Sequence, residues 1–146
     1  MLLTFPVWVE RAVLRLEREA PFAATAMCEA LGELTVLIDV EGERAMLSAA
    51  SGRCALLPSA PAAFAVELRT TRRAIAALAR GELSILDAIT SGGVTLRGPV
   101  AALAGVYDAL IAFLEGAVRA PSFADTLDQF LRWQRLRDRH VARGTE

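Results

Sequence analysis

The spacing of apolar residues changes several times along the chain, and each spacing predicts a type of element. Apolar residues recur at helical intervals from Val9 to Ala20 with charged residues between them, which predicts a first helix over 6–20. Pro21 ends that helix or begins a second one, which Gly32 stops. The spacing then falls to two, which predicts four short strands joined as an antiparallel β-meander. These strands cover residues 34–40, 43–49, 53–57 and 64–69.

Helical spacing returns in the second half of the chain, around one further strand. Ser84 and Asp87 have the spacing of a capping box, which predicts the start of a short helix. The longest helix contains only two charged residues, Asp108 and Glu115, so we expect it to be buried or to cover something apolar. The predicted elements are helices over 72–80 and 85–91, a strand over 94–97, the long helix over 100–118 and an amphipathic helix over 122–137.

Length and composition limit the classes of protein to which the chain can belong. Its 146 residues fit a single domain, 1–146, which is large enough to fold without a metal or a disulfide. With 54% hydrophobic residues and a net charge of −1, the chain is neither disordered nor attractive to nucleic acid. The longest uncharged run, 54–66, is too short to span a membrane. No basic residue precedes the apolar N-terminal stretch, so that stretch does not resemble a secretory signal. We therefore expect a cytoplasmic protein. All 16 basic residues are arginine and alanine is abundant, which indicates a GC-rich bacterial genome.

The residue types that build catalytic and metal centres are sparse in this chain. His140 is the only histidine and lies in an arginine-rich tail, yet a Ser-His-Asp or Cys-His site would have to use it. Cys28 and Cys54 are too few and too far apart in sequence for a disulfide scaffold or a zinc site. No dinucleotide or P-loop motif is present, so neither catalysis nor a cofactor is expected. The groups that could contact an anion, if they are not simply solvated helix ends and turns, are Arg69, Arg72, Arg73, Arg80, Gly92, Gly93 and Gly98.

One segment, Gly81–Gly98, carries a family resemblance. It consists of a glycine, a short helix ending in Ser-Gly, a strand of alternating apolar residues with a basic end, and a second glycine. This pattern resembles that of the sterol carrier protein 2 family of lipid-binding domains. The strand 64–70 and the helix 72–80 fit the preceding elements of that family, and the resemblance covers about residues 22–115. The terminal helices lie outside the family pattern.

The resemblance implies an α+β fold, with a five-stranded, mostly antiparallel sheet covered by helices on one side and enclosing an apolar tunnel. It also implies non-catalytic binding or transfer of a sterol, a fatty acyl chain or another lipid. Burial of an acyl chain contributes roughly 0.8 kcal/mol per methylene, so such binding needs no polar contact. The expected lining residues are Phe64, Val66, Leu68, Ile85, Ile89, Val94, Leu96, Leu103, Val106, Leu110 and Phe113.

A second interpretation of the same residues stays open at this stage. An ordinary packed core would place apolar side chains at the same positions. The chain would then be an interaction module with a filled core, which forms a homodimer or docks to a partner enzyme through its terminal helices. The aromatic residues Phe123, Phe130 and Trp133 would be the anchors of that interface, because aromatic side chains dominate interface energetics.

Overall fold

The computed structural model describes residues 4–50, 53–57 and 63–132, which form six helices around a five-stranded sheet. Helices α1 to α5 are Phe5–Glu19, Pro21–Leu31, Arg72–Ala79, Ile85–Ser91 and Val100–Arg119, and α6 covers residues 123–132. Strands β1 to β5 are Thr35–Val40, Glu43–Ala50, Arg53–Leu56, Val66–Thr70 and Val94–Arg97.

Short polar side chains determine where α3 and α4 begin. The hydroxyl of Thr71 accepts a hydrogen bond from the backbone N–H of Ala74 at 3.1 Å. The hydroxyl of Ser84 accepts one from the N–H of Asp87, also at 3.1 Å, as the predicted cap requires. Gly92 then ends α4 with a φ of 84°, in the left-handed region that favours glycine.

The strand order, β3-β2-β1-β4-β5, shows that the predicted meander was wrong at its fourth strand. Strand β4 lies beside β1 and runs parallel to it, with Val66 opposite Val36. The other three pairings are antiparallel, so the sheet is mostly antiparallel as expected. A period of two identifies a strand but does not select its neighbour, and a parallel neighbour requires a longer crossover connection. The connection from β1 to its parallel neighbour β4 is long enough, because it includes the strands β2 and β3.

One face of the sheet carries the hydrophobic core, because the strand register places apolar residues from neighbouring strands side by side. Val36 lies between Leu47 and Val66, and Leu68 lies opposite Leu96. Five of the helices contribute buried residues to one core cluster, and α3 packs against it with the partly buried Ile75, Leu78 and Ala79. The sheet and the helices therefore form two layers with the core between them.

Two glycines allow α5 to lie unusually close to its neighbours. A Cβ atom at Gly105 would lie 2.9 Å from the carbonyl oxygen of Ala30 on α2. A Cβ atom at Gly116 would lie 2.6 Å from the Cβ of Ala23 and 2.5 Å from a methyl carbon of Leu16 on α1. Any larger residue would push the helices apart, so this contact explains glycine at two interior positions of a helix.

The two cysteines are close in space, contrary to what their separation in sequence suggested. Cys28 on α2 and Cys54 on β3 are both buried and free, and their Sγ atoms are 2.8 Å apart. The hairpin strands β1 and β2 turn the chain back, which brings β3 to α2. Distance along the chain was therefore a poor guide to distance between the thiols.

Helix α5 is long and apolar enough, by length and composition, to cross a membrane. The count of uncharged runs missed this helix because Asp108 and Glu115 interrupt it. Core helices of water-soluble proteins meet the same two criteria. Within the described part of the chain, α5 packs against α2 and against the sheet layer.

Candidate apolar ligand cavity

A cavity of about 180 Å³ lies between the core face of the sheet and the helices. Four of the five strands form its floor, and every helix contributes at least one residue to its walls. The floor residues are Val36, Ile38, Val40, Leu47, Leu68, Thr70 and Val94. A two-layer fold normally fills this space with side chains, so an unfilled volume of this size is the feature that calls for a function.

The lining of the cavity offers almost no polar atom to a ligand. Among the described lining residues, Thr70 alone carries a hydroxyl, and its Oγ1 donates a hydrogen bond to the carbonyl oxygen of Gly93 at 2.9 Å. The indole N–H of Trp8 is also occupied, since it donates to the carbonyl oxygen of Thr126 at 2.7 Å. Within the same described set, no ionisable side chain lines the cavity. Recognition in this space therefore depends on shape and burial of apolar surface.

The first helix forms a wall of the cavity, although the sequence argument treated it as an addition. The side chains of Phe5, Trp8, Val9, Ala12 and Val13 all line the space. These residues lie on the apolar stripe of α1, so the amphipathic pattern was the signal that could have identified them. The expected lining set missed them because it was confined to the family-like region 22–115.

Aromatic contacts join α1 to the last helix and close this side of the cavity. The ring of Phe130 packs against Trp8 with a centroid distance of 4.2 Å and against Phe5 at 6.1 Å. Phe123 lines the cavity and meets Phe113 edge to face at 5.5 Å. Phe123 and Phe130 are 6% and 1% exposed, so the prediction that they anchor an interface was wrong. Trp133, the third expected anchor, lies outside the described residues, as does His140.

The expected lining residues divide into two groups in the structure. Six of them contact the cavity: Leu68, Ile85, Val94, Val106, Leu110 and Phe113. The other five do not: Phe64, Val66, Ile89, Leu96 and Leu103. Phe64 lies before β4 and is 43% exposed, whereas Val66 shares the face of Leu68 but is fully buried in packed core.

Four of the seven residues considered for anion binding have structural roles. Arg69 donates to Glu67 at 2.7 Å on the exposed face of β4, and Arg72 pairs with Glu41. Gly92 forms the C-terminal cap of α4. A Cβ at Gly98 would lie 2.7 Å from the carbonyl oxygen of Ala65, so this position requires glycine for close backbone approach. Among the residues that the structure describes, no group of three or more His, Cys, Asp or Glu could hold a metal ion.

Comparison with known proteins identifies the architecture. No family model and no curated protein sequence matches the chain. Sterol carrier protein 2 matches in crystal structure with a TM-score of 0.55 and 17% identity, over 79% of this chain and 96% of that one.

Two further solved structures match about as well. The UbiJ-SCP2 ubiquinone synthesis protein has a TM-score of 0.54 and 16% identity, over 73% of this chain and 89% of that one. A protein from Thermus thermophilus, described as possibly a sterol carrier protein, has a TM-score of 0.54 and 18% identity, over 82% and 90%. The chain therefore has the fold of the sterol carrier protein 2 domains, as the segment Gly81–Gly98 indicated.

Proposed function

We propose that the protein binds a hydrophobic ligand in the cavity between its sheet and helices, without catalysing a reaction on it. The observation that carries this proposal is the apolar volume, about 180 Å³, whose described lining has no ionisable side chain. General acid–base and nucleophilic catalysis need titratable or nucleophilic groups within reach of the bound molecule. Such groups are not among the described lining residues, whereas apolar burial is available from both layers of the fold.

The size of the cavity favours a flexible chain over a rigid ring system. Sites for drug-sized ligands have volumes of about 300–1,000 Å³, whereas an apolar cavity of about 150 Å³ holds one benzene molecule. The cavity of about 180 Å³ is therefore large enough for part of a lipid. An acyl or polyprenyl chain can insert a few carbons into such a cavity and displace the surrounding side chains gradually. The rigid fused rings of a sterol need the volume of the whole ring system at once. We therefore infer that the ligand presents a single hydrocarbon chain.

The energetics are consistent with this ligand class. Six buried carbons, the size of benzene, contribute a gross of about 5 kcal/mol at roughly 0.8 kcal/mol each. That value corresponds to a dissociation constant near 1 mM or below before the costs of association are subtracted. Useful affinity then requires more of the chain to be buried, and a polar head group remains at the surface because the lining offers it no partner.

The names of the structural neighbours support the broader class of apolar lipids, of which a single-chain ligand is one kind. Two of them are described as sterol carrier proteins, one only possibly so, and a third as a ubiquinone synthesis protein. A sterol and ubiquinone, which has a polyprenyl tail, are both apolar lipids that a protein must shield from water. We therefore propose lipid binding or transfer as the function, with Leu68, Ile85, Val94, Val106, Leu110 and Phe113 as contacts, joined by the α1 residues of the lining.

Ligand analysis and uptake measurements test this proposal. Organic extraction of the purified protein followed by mass spectrometry should identify co-purifying lipids. Titration with a fluorescent fatty acid, a fluorescent sterol and a short-chain ubiquinone should give saturable uptake of one molecule per chain, with the single-chain probes preferred. If no lipid co-purifies and none of the three probes shows saturable uptake, the proposal is wrong.

The alternative of an interaction module with a filled core is not the one we favour. Two of its three anchor residues are buried against other parts of the same chain: Phe123 meets Phe113, and Phe130 meets Trp8. The cavity of about 180 Å³ between the sheet and the helices argues against a filled core. Analytical ultracentrifugation at high micromolar concentration remains the direct measurement of a homodimer.

A further inference from the structure

The structure brings together two buried thiols that the proposed function does not use. Cys28 and Cys54 are 6% and 7% exposed, and neither lines the cavity. Their Sγ atoms are 2.8 Å apart, about 0.8 Å farther than bonded sulfurs, which lie about 2.05 Å apart. They lie on different elements, the helix α2 and the edge strand β3, so a bond between them would join two layers of the fold.

We propose that Cys28 and Cys54 form an intramolecular disulfide that covalently joins α2 to β3. The oxidant is a small-molecule disulfide such as oxidised glutathione. One cysteine thiolate attacks a glutathione sulfur, which forms a mixed disulfide and releases one glutathione thiolate. The second cysteine thiolate then attacks the protein sulfur of the mixed disulfide and releases the other. The two cysteine protons are transferred to the two glutathione thiolates, so the two cysteines are oxidised and one glutathione disulfide is reduced to two thiols.

The folded chain favours this internal bond over other products. The chain contains only two cysteines, so no alternative internal pairing exists. A lasting mixed disulfide would have to place a tripeptide where both side chains are more than nine-tenths buried. The neighbouring thiol, by contrast, is already in contact and is held there by the packing of α2 and by the pairing of β3 with β2. The mixed disulfide is therefore expected to react on to the internal disulfide and not to persist.

Burial also controls how fast the bond forms. Desolvation raises the pKa of the Cys54 thiol above its ordinary value, and the neighbouring Cys28 raises it further. The thiolate is the attacking species, so exchange in the closed structure is slow at neutral pH. Strand β3 has four residues, and among the described residues it pairs with β2 alone. Oxidation is therefore fastest during folding, or when this edge strand opens.

The bond would constrain a specific part of the chain. The loop that it closes runs from α2 to β3 and contains the whole of β1 and β2. Cross-linking a loop of this length removes conformations mainly from the unfolded chain, so the oxidised protein should melt at a higher temperature. For a chain of this size we expect an increase in Tm of roughly 5–10 °C.

The test measures the thiol–disulfide equilibrium of the full chain in the folded and the unfolded state. Reduced protein is refolded from urea into a buffer of reduced and oxidised glutathione, so that burial does not block access, and a parallel sample is kept in urea. Both samples are quenched with acid and alkylated, and their intact masses and cross-linked peptides are analysed. We expect a Cys28–Cys54 cross-link, with the mass of two hydrogen atoms lost. We also expect an equilibrium constant at least hundredfold larger in the folded protein than in urea.

The matched controls are the single variants Cys28→Ser and Cys54→Ser, which should lose both the cross-link and the rise in Tm on oxidation. If a variant fails to fold, the comparison of folded and urea-unfolded wild-type protein decides alone. Equal equilibrium constants in the two states would overturn the proposal, as would glutathione adducts in place of the cross-link or a lower Tm after oxidation. None of these readouts depends on ligand binding, so the disulfide and the lipid site are tested independently.

Discussion

The substitution Val106→Phe tests whether the cavity is free space that a ligand can use. Val106 lies on α5, is 2% exposed and lines the cavity. Phenylalanine replaces two methyl groups with a phenyl ring, which has the size of benzene. Since an apolar cavity of about 150 Å³ accepts benzene, one of about 180 Å³ should accept this ring. The ring would then occupy the position that we assign to the ligand chain.

The expected magnitudes follow from the atoms added. Phenylalanine has four more side-chain carbons than valine, and at roughly 0.8 kcal/mol each they displace about 3 kcal/mol of ligand burial. Affinity for a fluorescent fatty acid should fall about hundredfold. The free energy of unfolding should stay unchanged or rise by up to about 2 kcal/mol, because the ring fills existing space and loses some rotamer freedom.

Ala112→Phe is the matched control, because it brings the same ring to a buried position of the same helix that does not line the cavity. Ala112 lies on the stripe of α5 that also carries Gly105 and Gly116. Overpacking there should lower the free energy of unfolding by about 3 kcal/mol, or Tm by roughly 6–12 °C. Urea unfolding and probe titration of both variants provide the measurements. If Val106→Phe is as destabilising as Ala112→Phe, or if it binds the probe like the wild type, the cavity argument is refuted.

Three further predictions concern stability, measured by urea or thermal unfolding. Gly116→Ala places a methyl group 2.5 Å from a methyl carbon of the buried Leu16, so it should lower the free energy of unfolding by about 1–2 kcal/mol, although alanine has the better helix propensity. Val118→Ala, on the exposed side of α5, should leave that free energy nearly unchanged. Trp8→Phe removes the indole donor to the carbonyl of Thr126 and should cost about 1–3 kcal/mol, with no such loss expected if that bond is absent in solution. Because burial raises the pKa of Cys54 in the folded protein, the reduced protein should lose stability as the pH rises above 9.0, the pKa of the thiol in the unfolded chain. Above that pH the unfolded chain releases the thiol proton while the folded chain keeps it, which favours unfolding. This pH dependence should weaken in Cys54→Ala.

The elements marked by local chemistry could be predicted from the sequence almost residue for residue. Ser84 and the following glycines define the helix 85–91 and the strand 94–97, and the structure has the same bounds. Caps and turns depend on neighbouring residues, so a single sequence contains the information. The position of β4 beside β1 depends on contacts between distant segments, and the alternation of Val66 and Leu68 is compatible with either edge of the hairpin.

The cavity, too, could be predicted from the sequence only in part. The pattern predicted alternating apolar positions in the strands and an almost uncharged α5, and Val106, Leu110 and Val94 do line the space. The pattern did not distinguish Leu103, which does not line the cavity, from Val106 and Leu110 on the same helix, because a filled core and a cavity wall both require apolar residues. Whether apolar side chains leave a gap between them depends on their packing in three dimensions, which periodicity does not describe.

The hydrogen bond between Trp8 and Thr126 joins residues 118 positions apart, and this separation has a consequence for synthesis on the ribosome. Among the described residues, α1 leaves the ribosome before every other element, but its partner Phe130 is among the last to be made. Until then the aromatic stripe of α1 has no partner from α6 and is exposed to other nascent chains. Contacts of such long range also slow folding, because the whole intervening chain must be ordered before they form. A chaperone that holds apolar helices is therefore expected to matter most for this protein during translation.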